Sequence, residues 1–140
     1  MADGAEMGKL IRKAISNVER PPPNILVVED DPVSNFLVGR SLGQYGFNVI
    51  HASTAAEAIE LLQGDCVFDL VFSDVIMSGP RDGLGLARWI VLNRPGLPII
   101  LGSGDKTLKI PPVLGDEVSF FAKPYDVKNV VAQIQRLLAR

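Results

Sequence analysis

The sequence predicts an α/β fold: a five-stranded parallel sheet with helices on both faces. Three observations lead there. First, several short runs are continuously apolar and rich in branched residues, such as Ile25-Leu26-Val27-Val28. Continuous runs of this kind belong to strands buried on both sides. Second, these runs alternate with segments of helical periodicity. Third, the 140 residues are 47% hydrophobic and 21% charged, enough apolar material for one core of ordinary size and too much for a disordered chain.

Each element has a local reason. In residues 1–20, Met7, Leu10, Ile11, Ala14, Ile15 and Val18 recur at helical spacing. Pro21-Pro22-Pro23 ends that helix and forms a stiff connector. The expected division is therefore an N-terminal helical extension with a proline linker at 1–23 and a compact domain at 24–140. The helix either packs on its own domain or frays, or else it pairs with a second copy, because an apolar stripe outside a core wants a partner. Ile25–Val28 is the first strand. Asp31-Pro32 caps and opens a helix running to about Tyr45, whose expected inner face carries Val33, Phe36, Leu37, Ser41 and Leu42.

Phe47–Ile50 is the second strand. Thr54 and Glu57 form a capping box for a helix that ends at Gly64. Asp69–Ser73 is the third strand, and a Gly/Pro loop leads to a helix over about Gly83–Asn93. Leu97–Leu101 and Val118–Phe121 are the fourth and fifth strands. Asp126 caps a last helix carrying Val127, Val130, Val131, Ile134, Leu137 and Leu138.

Composition excludes several classes of function. A net charge of −2 argues against nucleic-acid binding by bulk charge. No apolar run approaches the ~18 residues of a membrane span, and the N-terminus lacks the apolar block of a signal peptide, so a cytoplasmic protein is expected. The single cysteine, Cys66, excludes an internal disulfide, and the single histidine, His51, leaves little scope for a His-based metal site. His51 itself reads as a surface polar residue and Trp89 as a core or rim residue. The polar chemistry is left to carboxylates, hydroxyls and lysines.

Ligands of such sheets sit at the carboxyl ends of the strands. Strand one ends in Glu29-Asp30-Asp31, strand three in Ser73-Asp74, strand four in Gly102-Ser103-Gly104 and strand five in Lys123-Pro124. Crowded carboxylates disfavour one another's ionisation, and a hard cation such as Mg²⁺ relieves that. Lysine is a compact charge for a phosphoryl oxygen, and a hydroxyl with adjacent backbone N–H groups holds another. The set reads as a Mg²⁺-assisted phosphoryl site with a carboxylate nucleophile.

Over residues 24–140 the chain resembles the receiver domain of bacterial two-component response regulators. The residues that carry the resemblance are Leu26–Asp31, Asp69–Asp74 with Met77 and Asp82-Gly83, then Ser103, Phe120 and Lys123-Pro124. The resemblance implies a flavodoxin-like strand order, 2-1-3-4-5. It implies that Asp74 is the phosphoacceptor, assisted by Ser103 and Lys123. It implies that Glu29, Asp30, Asp74 and the Ile76 backbone carbonyl hold Mg²⁺, and that Ser103 and Phe120 form the switch. It further implies that Ile76 and Asp105 border the water that attacks the phosphorylated form; from their chemistry, Ile76 is expected to exclude that water and Asp105 to orient or repel it. The implied partners are a histidine kinase and either a downstream protein or a phosphotransfer protein, with no nucleic acid and no membrane. The protein is then a phosphorelay signalling component with slow self-dephosphorylation, not a turnover enzyme. With no output domain after residue 140, a stand-alone receiver is expected.

Two features depart from the family pattern. The loop Val75–Gly83 is one residue longer than usual, with Ser78 where proline is common. In segment 104–117, where the family places its fourth helix, Pro111-Pro112 removes two N–H donors, so that helix is expected to be short or absent. Other readings are an interaction module that is never phosphorylated, a relay that passes the phosphoryl group on, and an aspartate phosphatase. The phosphatase would need its nucleophile after strand one with a second aspartate two residues on, and Glu29-Asp30-Asp31 lacks that spacing. A flavin-binding protein would need a Ser/Thr/Gly phosphate loop where these acids stand.

Overall fold

The computed structural model describes residues 3–19, 21–77, 79 and 81–139. Ser78 and Pro80 of the lengthened loop lie outside the described residues. Helix α1 (Gly4–Glu19) comes first, with Met7, Leu10 and Ile11 exposed. The elements that follow are β1 (Asn24–Val28), α2 (Pro32–Gln44), β2 (Asn48–Ala52), α3 (Ala55–Gln63), β3 (Leu70–Asp74), α4 (Gly83–Asn93), β4 (Ile99–Ser103), β5 (Val118–Ala122) and α5 (Val127–Leu138). All strand pairings are parallel, in the order β2-β1-β3-β4-β5.

The helix starts are local and follow the expected chemistry. The side chains of Asp31, Thr54, Asp82 and Asp126 each accept a hydrogen bond from a backbone N–H in the first turn of the helix that follows. All five strands begin or end one or two residues from the sequence expectation, because pairing partners set strand ends. Between β4 and β5 the prolines act as expected. The segment holds a turn closed by the Leu108 N–H on the Asp105 carbonyl, and a single 3₁₀ turn at Pro112–Leu114.

The strands alternate their side chains between two buried layers. Leu26, Val28, Val71, Ile99 and Leu101 meet α3 and α4 on one face. Ile25, Val27, Leu70, Phe72 and Ile100 meet α2 and α5 on the other. The register aligns Val28 with Ser73, Asp74 with Gly102 and Ser103 with Ala122. The carboxyl ends of β1, β3, β4 and β5 therefore form one edge. The chain reverses the direction of sheet growth between β1 and β3, which opens a crevice at that edge.

Helix α2 corrects the expected inner face. Asn35, Gly39 and Leu42 are buried, whereas Val33, Phe36 and Leu37 are 64%, 61% and 54% exposed. The reason is tertiary. Asn35 satisfies its amide on strand-end carbonyls, donating to Glu29 O at 2.9 Å and Ala52 O at 3.0 Å. Gly39 is needed because an added Cβ would lie 2.3 Å from the His51 ring. Urea unfolding tests this rotation: Leu42→Ala should cost about 2–5 kcal/mol and Phe36→Ala less than about 0.5 kcal/mol.

Candidate functional site

Three carboxylates meet at the crevice. One oxygen each from Glu29, Asp30 and Asp74 can be chosen so that all lie within 4.8 Å of one another. Asp31 is not among them. Its carboxylate caps α2, accepting from the Val33 N–H at 3.3 Å and the Ser34 hydroxyl at 2.7 Å. The Ser34 bond, more than any other contact, holds the Asp31 carboxyl below its ordinary range. Consecutive acids are thus divided between two tasks by the direction in which the chain turns into the helix.

Lys123 counters the crowding. Its Nζ lies 2.9 Å from Asp74 Oδ1 and 3.8 Å from Glu29 Oε2. Its stem passes beside Gly102, the residue paired with Asp74 on β4. Burial disfavours the ammonium, but the bond to Asp74 and the charges of Asp74 and Glu29 outweigh burial, leaving the Lys123 pKa above its ordinary value. Glu29 moves further. Burial lifts its carboxyl to about 7; the Asp31 N–H opposes this, Asp74 adds to it and Lys123 opposes it. A carboxyl pushed up beside two others is one that a cation would restore to the ionised state. The donor set is all oxygen and partly open, as a hard divalent ion requires.

The loops around this centre are held by the backbone. The Val75 N–H donates to Gly102 O at 3.0 Å and the Lys123 N–H to Ser103 O at 2.8 Å. Gly83 closes the loop after Asp74, its N–H donating to Val75 O at 2.7 Å. A Cβ there would lie 2.2 Å from Asp74 O, so the Asp82-Gly83 pair is a packing requirement as well as a helix start. The Lys123-Pro124 peptide is cis.

Ser103 is buried at the end of β4, and its Oγ accepts from the Asp105 N–H at 3.0 Å. The hydroxyl proton is left to donate elsewhere. The Asp105 carboxylate is bound to its own turn, accepting from the Thr107 hydroxyl at 2.6 Å and the Thr107 N–H at 2.9 Å. The hydroxyl bond is the main reason its carboxyl lies below the ordinary range. The Ile76 side chain is exposed. Phe120 is half-buried on β5 against the α3/α4 layer.

Two contributors escaped sequence reading. Tyr125 lines the same cleft of about 500 Å³ as Glu29, Leu37, Asp74 and Lys123. It packs edge-on against Phe72, with ring centroids 5.6 Å apart, and burial raises its phenol pKa. Its position two residues beyond Lys123 was the available signal. Asn35 gave none, because it sits within a helical pattern.

Comparison with known proteins agrees with this geometry. A family model of the response regulator receiver domain matches residues 25–135. The chain is 32% identical over 116 residues to the C4-dicarboxylate transport transcriptional regulatory protein DctD of Rhizobium meliloti, covering 81% of this chain and 25% of that protein. It is 31% identical over 124 residues to the transcriptional regulatory protein AruR of Pseudomonas aeruginosa, covering 84% and 50%. The chain therefore spans a quarter to a half of the length of these relatives. A response regulator receiver protein from Sinorhizobium medicae superposes with a TM-score of 0.77 at 27% identity, over 84% of this chain and 95% of that one. A response regulator from Chloroflexus aurantiacus, described as putative, superposes at 0.76 and 27% identity, over 85% and 99%. The five-stranded sheet, the acids at its β1/β3 crevice and these matches together make the chain a member of the response regulator receiver domain family.

Proposed function

We propose that this chain accepts a phosphoryl group on Asp74 from a phosphohistidine of a partner kinase, with Mg²⁺ held by Glu29, Asp30, Asp74 and the Ile76 carbonyl. The observation that carries this reading is the convergence of three carboxylates within 4.8 Å, with Lys123 2.9 Å from Asp74. Mg²⁺ would supply charge neutralisation for the phosphoryl oxygens. An Asp74 oxygen attacks phosphorus as the phosphorus–nitrogen bond breaks, and the electron pair leaves with the imidazole, which takes up a proton. Lys123 neutralises charge on a transferring oxygen, so the chain contributes mainly position and electrostatics. The product is an acyl phosphate on Asp74. Ser103, with its oxygen already accepting from Asp105, has its hydroxyl proton available for a phosphoryl oxygen, and Phe120 follows its movement. Asp105, tied to Thr107, and Ile76 set the approach of water, and hydrolysis is slow.

The partner surface follows from the orientation of α2. Val33, Phe36 and Leu37 stand exposed, and Leu37 lines the cleft that contains Asp74. An apolar patch at the rim of the reacting group suits a helical phosphodonor. The N-terminal helix is assigned to pairing with a second copy, with residues 24–140 as the phosphorylated body of a cytoplasmic signalling protein. Among the described residues no helix is long and apolar enough to cross a membrane.

Three outcomes are expected. Incubation with a phosphohistidine kinase or a small phosphodonor plus Mg²⁺ should label wild type and leave Asp74→Asn unlabelled; equal labelling removes Asp74, and no labelling of wild type leaves an interaction module. Phe36→Asp should slow transfer from the kinase at least about tenfold while leaving labelling by a small phosphodonor within about twofold, read by phosphotransfer time courses. The third concerns pH. Glu29 has a folded pKa of about 7 against an ordinary 4.5, so the metal-free fold holds the extra proton. The stability from neutral Glu29 is complete below about 4.5 and is lost as pH rises through 7. Metal-free wild type should therefore lose stability relative to Glu29→Gln across that window, and Mg²⁺ binding at pH 6 should release close to one proton, measured by calorimetry in buffers of different ionisation enthalpy.

A further inference from the structure

The acidic loop is clamped by a single buried residue. The Asn35 side-chain amide donates to Glu29 O, its backbone N–H donates to Asp31 O at 2.9 Å, and the peptide between Asp30 and Asp31 is held by the Asp31 N–H on Glu29 Oε1 at 3.2 Å. Every peptide unit from Glu29 to Pro32 thus has one polar group fixed, two of the three by Asn35. The second Asn35 amide bond, to Ala52 O, ties the clamp to the edge strand β2. Both amide hydrogens of Asn35 are consumed by carbonyls, so its Oδ1 faces the other way, and it meets the Nδ1 of His51.

This contact has a forced polarity. Asn35 Oδ1 carries no hydrogen, so His51 Nδ1 must be the donor. The imidazole reaches that position only because residue 39, one turn after Asn35 on the same helix face, is glycine. Asn35, Gly39 and His51 form a built unit: a helix notch, a ring seated in it, and an amide aligned by the ring.

We propose that His51 is a positioning residue for the metal-holding loop, donating from Nδ1 to Asn35 and so fixing the orientation in which the Asn35 side-chain amide holds the carbonyls of Glu29 and Ala52. The proposal rests on the receiver reading of Glu29 and Asp30 as metal ligands. His51 touches neither the metal nor the phosphoryl group. It acts through Asn35, as outer hydrogen-bond partners orient the groups that bind metals.

The test uses the full chain. Long-range proton–nitrogen correlation of the imidazole at pH 8, without metal, should find neutral His51 in the Nδ1–H tautomer; the Nε2–H tautomer overturns the proposal. His51→Ala removes the donor, whereas His51→Asn restores an N–H at the Nδ1 position. His51→Ala should shift the metal-free amide resonances of Glu29, Asp30 and Asp31 and weaken Mg²⁺ binding about tenfold by calorimetry, the lower end for outer-shell partners. Its melting temperature in EDTA should stay within about 3 °C of wild type. His51→Asn should return both amide shifts and affinity to within about twofold of wild type. Unchanged amides and affinity in His51→Ala, or a loss of affinity that His51→Asn does not rescue, overturn the proposal. Wild type that binds no Mg²⁺ overturns the reading of Glu29 and Asp30 as metal ligands instead, and the metal-free amide shifts then still decide the role of His51.

Discussion

Like charge held in a small space is the constraint around which this fold is arranged. Glu29, Asp30 and Asp74 would repel each other wherever they met, and the sheet brings them within 4.8 Å. Glu29 bears part of the cost: burial first, and then the charge of Asp74, push its carboxyl to about 7, and Lys123, 2.9 Å from Asp74, offsets some of it. Removing the acids' neighbours would relax the strain and also remove the site. A centre crowded in this way favours positive charge, which Lys123 supplies in part and a hard cation would complete.

The surrounding structure keeps the crowd in place. β1 and β3 are central strands, buried on both faces, and the loops that leave β3 and β5 are tied back by backbone bonds at Val75, Gly83 and Lys123. Gly83 and Gly39 are places where a side chain would push a loop or ring out of position. The β4–β5 connection, by contrast, carries a turn and a 3₁₀ turn in place of a helix, so the surface beyond Ser103 depends on few local constraints.

Much of this was legible in the sequence because it is local. Asp31, Thr54, Asp82 and Asp126 start helices through bonds spanning two or three residues, and Pro111-Pro112 prevents a helix by its own covalent structure. The acids were legible because each directly follows an apolar strand. The rotation of α2 was not. Its buried face consists of a polar residue satisfied by strands, a glycine occupied by a ring from β2, and one leucine, while its most apolar residues face outward. An apolar count assigns that helix backwards, since its phase is set by partners far along the chain. Tyr125 escaped for the same reason, its neighbours being Phe72 and Gly102 from other strands.

The most direct test locates the phosphoryl group itself. After phosphorylation with a small phosphodonor and Mg²⁺, borohydride reduction converts an aspartyl phosphate to homoserine, and peptide mass spectrometry finds where it stands. Homoserine is expected at position 74 and nowhere else. Homoserine at position 30, 5-hydroxynorvaline at position 29, or an unmodified residue 74 in labelled protein, would rule out Asp74 as the acceptor.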